Sequence, residues 1–286
     1  MAHRNAGIHR TFVGDIAITA LNDGMFDAGT GVLVGIDPQE AERLEVAAFR
    51  KLPPRITISA FLLEIGDKKI LIDTGSAKAF GPAHGFMRPA LATLGVQSAD
   101  IRTVLVTHAH IDHVSGLLDD AGGAYFPNAE VVINEAETNF WLNPDIAAAA
   151  PDAAKSSFAL AANCLAPYKD RTRTLKHGAT VMPGVMLQHL PGHTPGHSGW
   201  IIASGDDSLL VWGDVVHLPG IQFANPEAGM AFDTDADQAR ASRRKTFDMA
   251  ATDRLRVAGM HLDFPCFGHV AKAGEGYAFV PDVWVA

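Results

Sequence analysis

The chain has 286 residues, of which 48% are hydrophobic and 19% are charged, enough to bury a sizeable core in one large domain or two small ones. Its formal net charge of −9 disfavours nucleic acid as a partner, because phosphates are neutralised by basic surfaces. No run of about 18 apolar residues and no secretory signal is visible, so we expect no membrane span and a cytoplasmic location. In that compartment Cys164 and Cys266 are expected to be free thiols.

Short apolar runs typical of β-strands recur along the chain. They fall at 16–22, 56–65, 68–74, 103–107, 129–134, 185–190, 198–203 and 208–214. The turn residues Gly66-Asp67 between the second and third runs predict a hairpin. Helical patterns fall at 88–95, 135–142, 153–166 and 237–251, with Thr234 or Asp235 as a cap for the last one. Because strands and helices alternate in both halves, we interpret residues 1–286 as a single α/β domain with two sheets.

The stretch THAHIDH at 107–113 contains three histidines and an aspartate directly after the apolar run TVLVT. His108 and His110 are two positions apart, so on an extended segment both side chains project to the same side. Asp112 and His113 follow as the chain turns. Imidazole and carboxylate together form a ligand set that suits Zn²⁺ and similar metals. The sequence therefore predicts a metal site at the end of this strand.

Further candidate ligands lie downstream, each after an apolar run and beside a glycine that lets backbones approach closely. They are His193 in LPGHTPGHS, Asp214 at the end of LLVWGD, and His269 in FPCFGHV. With the first motif, these residues make five histidines and two aspartates. That number is too large for one tetrahedral ion and suits two ions that share a bridging carboxylate.

The order of these residues resembles that of the metallo-β-lactamase superfold. The family's His-x-His-x-Asp-His motif matches 108–113, and its later histidine, bridging aspartate and final histidine match His193, Asp214 and His269. The stretch LIDTG at 71–75 matches a family aspartate outside the ligand set, here Asp73. The resemblance covers nearly the whole chain and implies an αββα sandwich, in which helices flank two mixed β-sheets and the metals lie at one edge.

The resemblance also implies a role for each residue. One ion is expected on His108, His110 and His193, and the other on Asp112, His113 and His269, with Asp214 and a hydroxide as bridges. The predicted catalytic residues are therefore Asp112 and Asp214. Asp73 and His197 are expected to support the ligands from outside, Asp73 by orienting a histidine. We expect two Zn²⁺ ions, although Mn²⁺, Fe²⁺ and Co²⁺ tolerate the same ligands.

Several longer stretches resemble the branch that contains methyl parathion hydrolase and its lactonase relatives. They include NEAETNFWLNP, DTDADQARASRRKTFDMAA and the segment GMHLDFPCFGHV near the end of the chain. By similarity, aromatic walls of an apolar substrate pocket are expected at Phe80, Trp141 and Phe158. His217 and Phe232 should narrow this pocket to a flat slot, which favours a planar ester ring over a phosphotriester with three bulky arms.

We therefore predict a dinuclear metal hydrolase that opens a lactone or cleaves an aryl ester, with organophosphate triesters as a possible side activity. An acyl-homoserine lactonase and an organophosphate hydrolase are the alternatives within the same chemistry, since the fold alone does not identify the substrate. A glutathione-dependent thioesterase, a nuclease and a non-enzymatic metal scaffold fit the sequence less well. The expected partners are a small apolar ester or lactone and a second copy of the chain in a homodimer.

Overall fold

The computed structural model describes residues 7–283. The strands within these residues are β1 (Ile8–Val13), β2 (Ile16–Asp27), β3 (Leu33–Val34), β4 (Arg55–Ile65), β5 (Lys68–Ile72), β6 (Ile101–Leu105), β7 (Glu130–Asn134), β8 (Thr172–Leu175), β9 (Thr180–Met182), β10 (Val185–His189), β11 (Ser198–Ser204), β12 (Asp207–Val211), β13 (Gly229–Met230), β14 (Arg256–Ala258), β15 (Phe267–Ala273) and β16 (Gly276–Pro281).

The α-helices of the described chain include the four that the sequence predicts. They are α1 (Pro38–Ala47), α2 (Met87–Thr93), α3 (Ile111–Val114), α4 (Glu135–Trp141), α5 (Pro144–Ala149), α6 (Asp152–Leu165), α7 (Pro219–Gln222) and α8 (Ala236–Thr252). The predicted helices correspond to α2, α4, α6 and α8. Of the two predicted caps for α8, it is Asp235 that accepts a hydrogen bond from the backbone N–H of Gln238, at 3.0 Å.

Two seven-stranded sheets form the body of the protein. The strand order is β1-β2-β4-β5-β6-β7-β8 in the first sheet and β16-β15-β14-β12-β11-β10-β9 in the second, while β3 pairs with β13. Ile65 lies opposite Lys68 in the antiparallel pair β4–β5, which confirms the predicted hairpin. The neighbours β5, β6, β7 and β8 are parallel, as are β12 and β14, so the strands of each group end at one edge of their sheet.

Strand β4 shows how the layers are assembled. Its residues Phe61 and Leu63 pack in the core between the two sheets together with Trp200. The alternate residue Leu62 faces the opposite way and packs with Leu91 of α2 in a second core. Helix α6 covers the same face, and α8 contacts β15 of the second sheet. The layers therefore run helix, sheet, sheet, helix, which confirms the predicted αββα sandwich.

Two smaller predictions concern membrane spans and cysteines. None of the helices within 7–283 is both long enough and apolar enough to cross a membrane. Cys164 and Cys266 are buried free thiols, as expected. Burial raises the pKa of Cys266 to about 12, so its thiol stays protonated at neutral pH.

Candidate metal centre

Seven side chains converge at one edge of the sandwich, where strands of both sheets end. The segment 108–113 follows β6 of the first sheet, Asp214 follows β12, His261 follows β14, and His193 lies between β10 and β11. The carboxyl ends of strands are the usual place for ligand sites in α/β proteins. These seven are His108, His110, Asp112, His113, His193, Asp214 and His261, and His217 lies beside Asp214 at 3.0 Å as an eighth member of the cluster.

Three of the histidines form the first group. The Nδ1 atom of His110 lies 3.0 Å from Nε2 of His108 and 2.9 Å from Nε2 of His193. The two Nε2 atoms of His108 and His193 are 3.2 Å apart. Three nitrogens at this spacing can surround a single ion with Zn–N distances of about 2.0–2.1 Å.

The second group contains Asp112, His113 and His261. The Oδ2 atom of Asp112 lies 3.6 Å from Nε2 of His113 and 3.6 Å from Nε2 of His261. Asp214 stands between the two groups, with its Oδ2 atom 3.3 Å from Nε2 of both His113 and His193. It is therefore the one carboxylate of the cluster that reaches both groups.

The hydrogen bonds around the ring of His261 fix the direction of its lone pair. Its Nδ1 atom lies 2.6 Å from the carbonyl oxygen of Thr57, which can only accept, so Nδ1 carries the proton. Nε2 then faces Oδ2 of Asp214 across 3.0 Å. Asp214 raises the pKa of His261, so the position between these two atoms attracts a cation, either a proton on Nε2 or a metal ion.

Other buried atoms point to the same conclusion. Nε2 of His113 and Oδ1 of Asp214 are both buried, and neither has a hydrogen-bond partner among residues 7–283. Buried polar atoms are normally paired, and an orphan at a cluster of histidines fits a metal ligand. Burial, followed by the neighbouring imidazoles, lowers the pKa of His108 and of His110 well below the ordinary range. Both rings are therefore neutral, as metal ligands must be. The carboxylates beside His113, His193 and His261 instead raise the pKa of those rings, so an ion that binds there must displace a proton.

Asp73 and His197 contact the cluster from outside. Oδ2 of Asp73 accepts a hydrogen bond from Nδ1 of His113 at 2.7 Å, and Oδ1 accepts one from the backbone N–H of Thr107. His197 donates from Nδ1 to the carbonyl oxygen of Leu190, and its Nε2 accepts from the backbone N–H of Asp214 at 2.8 Å. Burial lowers the pKa of His197 to about 3, which keeps the ring neutral and able to accept.

Asp233 also contacts a histidine of the cluster, and the sequence analysis did not predict this contact. Its Oδ1 atom lies 2.8 Å from Nδ1 of His193, and its Oδ2 accepts a hydrogen bond from the backbone N–H of Met230. Burial alone would raise the pKa of Asp233, but the hydrogen bond from His193 lowers it to about 2. The carboxylate therefore stays charged and orients the imidazole of His193.

The prediction that His269 belongs to the cluster is corrected by the structure. His269 lies on β15, where its side chain is 45% exposed and its Nδ1 atom is 3.5 Å from Oδ1 of Asp282. The chain passes the site edge in the loop between β14 and β15, and His269 comes only after it has turned back along β15. His261, the histidine of that loop, takes the place assigned to His269. Its signal was a histidine directly after the short apolar run VAGM.

A cavity of about 410 Å³ opens above the cluster. Three of the predicted pocket residues line it, namely Phe80, His217 and Phe232. The ring of His217 stacks on His261 at 4.9 Å, and Phe232 meets His217 edge-on at 5.1 Å. These rings line one side of the cavity.

The other two predicted walls, Trp141 and Phe158, do not line this cavity. They contact each other at 4.8 Å and are buried in the core between the first sheet and its helices. Phe26, Ile56 and Leu160 line the cavity instead. Phe26 was missed because β2 continues to Asp27, beyond the predicted strand end at residue 22.

The layered fold and the two ligand groups are those of a metalloprotein, and a sequence comparison identifies its family. The family model described as "Metallo-beta-lactamase superfamily" matches residues 53–261, and the chain belongs to that superfamily. The matched segment includes His261 and ends there, before His269.

Individual relatives agree with this assignment. The chain is 33% identical to a hydrolase of the beta-lactamase superfamily called AbOPH, with a TM-score of 0.94 over 99% of this chain and 100% of that one. It is 27% identical to AidC, a dizinc quorum-quenching lactonase solved with a product, at a TM-score of 0.91 over 98% and 99% of the two chains. It is also 25% identical to an N-acyl homoserine lactonase from Bacillus sp over 51% of this chain and 58% of that protein. The chain thus spans a little over half the length of this last relative.

Proposed function

We propose that the protein is a dinuclear metal-dependent hydrolase that opens a lactone ring or cleaves an aryl ester. The observation that carries the proposal is the convergence of seven ligand side chains at the floor of a largely apolar cavity. Phe26, Ile56, Phe80 and Leu160 give that cavity apolar walls, which suit an uncharged substrate.

The ligand groups divide between two ions. His108, His110 and His193 would hold the first ion, and Asp112, His113 and His261 the second, with Asp214 shared between them. We expect Zn²⁺, because mixed nitrogen and oxygen ligands suit it, with Mn²⁺, Fe²⁺ and Co²⁺ as alternatives. When bound, such a pair lowers the pKa of water towards neutrality and polarises an ester carbonyl.

Asp112 has the position of a proton-transfer group. Its side chain lines the cavity and stays 13% exposed, while Asp214 is almost completely buried. Asp112 can therefore accept the proton of the attacking water at a carboxylate oxygen and return it to the leaving oxygen of the ester. General acid–base transfer of this kind contributes about 10²–10⁴-fold to a rate.

His217 and Phe232 restrict the shape of the substrate that the cavity can accept. Because their rings narrow one wall, a flat lactone or aryl ester fits better than a phosphotriester with three arms. The similarity to AidC and to the Bacillus lactonase supports a lactone as the substrate class, and an acyl-homoserine lactone is the alternative within it. The homodimer and the cytoplasmic location remain predictions, and light scattering of the purified protein tests the first.

We expect the purified protein to bind two metal ions per chain. The ligand atoms form two groups, each of which surrounds a separate point, and one carboxylate reaches both. Elemental analysis after growth in zinc-supplemented medium should give close to two equivalents, and dialysis against a chelator should abolish hydrolysis until metal is restored. A reproducible single equivalent, with the second site unfillable, contradicts the dinuclear proposal.

A panel of substrates tests the reaction. The metal-loaded protein should hydrolyse a lactone or an aryl ester with a kcat/KM at least about 10-fold above that for a phosphotriester, since one pocket contact changes discrimination by about 1–3 kcal/mol. The panel should contain an aryl lactone, an acyl-homoserine lactone, an aryl ester and a phosphotriester at equal metal loading. Preference for the phosphotriester would show that the narrowed wall does not select the substrate.

A further inference from the structure

A buried carboxylate behind the cluster has no place in the chemistry described so far. Glu137 lies on α4, and its side chain is completely buried. Its Oε1 atom accepts hydrogen bonds from the backbone N–H of Ala109 at 2.8 Å and from Nε1 of Trp141 at 2.6 Å. Its Oε2 atom accepts from Oγ1 of Thr194 at 2.6 Å and from the backbone N–H of Gly196 at 2.9 Å.

Two of the four donors lie next to metal-ligand candidates in the sequence. Ala109 separates His108 from His110, and Thr194 directly follows His193. One carboxylate thus connects the loop after β6, in the first sheet, to the loop between β10 and β11, in the second. The two loops supply all three histidines of the first group.

The packing at this point leaves little freedom. A Cβ atom added at Gly196 would lie 2.1 Å from the backbone nitrogen of Glu137, so the loop after His193 lies directly against α4. The ring of Trp141, which donates to the same carboxylate, meets the ring of His110 edge-on at 5.5 Å. Glu137 therefore acts on His110 from two directions, through Ala109 and through Trp141.

We propose that Glu137 is a positioning residue that holds His193 at the right distance from His108 and His110 to share one ion. This inference rests on the proposed metal pair. The three ligand nitrogens lie 2.9–3.2 Å apart, close enough that their lone pairs repel unless a proton or an ion lies among them. Hydrogen bonds to Glu137 counter that repulsion by anchoring the backbone behind the rings, and so prepare the site for the ion.

A carboxylate is suited to this task because all four groups around it are donors. An ionised carboxylate only accepts, whereas an amide has one oxygen and one NH₂ group. Glu137→Gln keeps the shape of the side chain but turns one end into a donor. Whichever end that is, it meets at least one backbone N–H that cannot reverse its role, either that of Ala109 or that of Gly196.

The test compares the rate of metal loss from zinc-loaded Glu137→Gln with that from the wild type, using a chromogenic chelator. Glu135→Gln is the matched control, because Glu135 lies on the same helix but is 43% exposed and pairs with the exposed Lys176, at 3.3 Å. We expect release of one of the two equivalents to be about 10–100-fold faster in Glu137→Gln, the usual effect of removing an outer partner of a metal ligand. Glu135→Gln should release zinc at the wild-type rate.

Thermal unfolding of the metal-free proteins separates positioning from a purely structural role. If Glu137→Gln lowers the melting temperature but leaves zinc release unchanged, the inference is wrong. If Glu137→Gln does not fold, Thr194→Val removes a single donor and should still speed release by about 10-fold; an unchanged rate there overturns the inference. A wild-type protein that holds no zinc at all would instead contradict the proposed function, before either variant is compared.

Discussion

Asp214→Asn should give a folded protein whose kcat/KM for the preferred ester is lower by about 10³-fold or more. Oδ2 of Asp214 lies within 3.5 Å of Nε2 in five histidines, at 3.0 Å for His217 and His261 and at 3.5 Å for His108. An amide carries no charge and offers one weak oxygen, so it cannot replace a carboxylate between two cations. Losing one electrostatic contact in an active site typically costs about 10²–10³-fold, and here both proposed ions lose a ligand.

Asp207→Asn is the matched control for this substitution. Asp207 begins β12, the strand that Asp214 follows, but it is exposed and accepts a hydrogen bond from the backbone N–H of Gly14. Its variant should keep wild-type kinetics and two metal equivalents. Wild-type turnover by Asp214→Asn at full metal loading would show that Asp214 does not bridge the two ions.

His261→Ala and His269→Ala should differ sharply, although the two histidines are eight positions apart in the sequence. His261→Ala removes a proposed ligand, so the second metal equivalent should be lost. Removing a residue that only hydrogen-bonds to a metal ligand lowers activity by about 10–100-fold, and kcat/KM of His261→Ala should fall by more than that. His269→Ala removes only a partly exposed contact with Asp282, and its stability should change by no more than about 0.5 kcal/mol. Metal analysis and steady-state kinetics on both variants measure the contrast.

The opposite result would contradict the assignment of His261 as a ligand. Loss of metal and activity in His269→Ala, with His261→Ala unaffected, would restore the assignment made from sequence and contradict the loop geometry described here. Circular dichroism of both variants shows whether either change simply unfolds the protein.

The sequence predicts those members of the cluster that directly follow a strongly apolar strand. His108, His110 and Asp214 each follow a strand with a strong apolar pattern, and the ends of such strands meet at one edge. His261 follows the same rule, but β14 has only three residues and was not recognised as a strand. The family resemblance instead placed the final ligand at His269 in the Gly-His pair at 268–269, where the chain has already left the site.

Contacts between segments that are far apart in the chain could not be predicted from a single sequence. The aromatic type of Trp141 and Phe158 is compatible with a pocket wall or with a core, and only the packing of α4 and α6 decides which face is buried. Asp233 contacts a histidine 40 positions away, and Glu137 contacts Thr194 at a separation of 57. Nothing in the local pattern around either acid indicates these partners, because Glu137 meets Thr194 only when the two sheets pack together, and Asp233 meets His193 only when the segment after β13 folds against the loop between β10 and β11.

The origin of the ligands in both sheets has a consequence for folding thermodynamics. Residues 108–113 come from the first sheet, whereas Asp214 and His261 come from the second, so an ion bound by the cluster contacts both halves of the sandwich. Such an ion binds the docked sheets and not the separated ones, and its binding free energy is added to that of sheet packing. At an ion concentration 100-fold above the dissociation constant, this linkage contributes about 2.7 kcal/mol. The cluster thus makes the cohesion of the sandwich depend on the supply of metal in the surrounding medium.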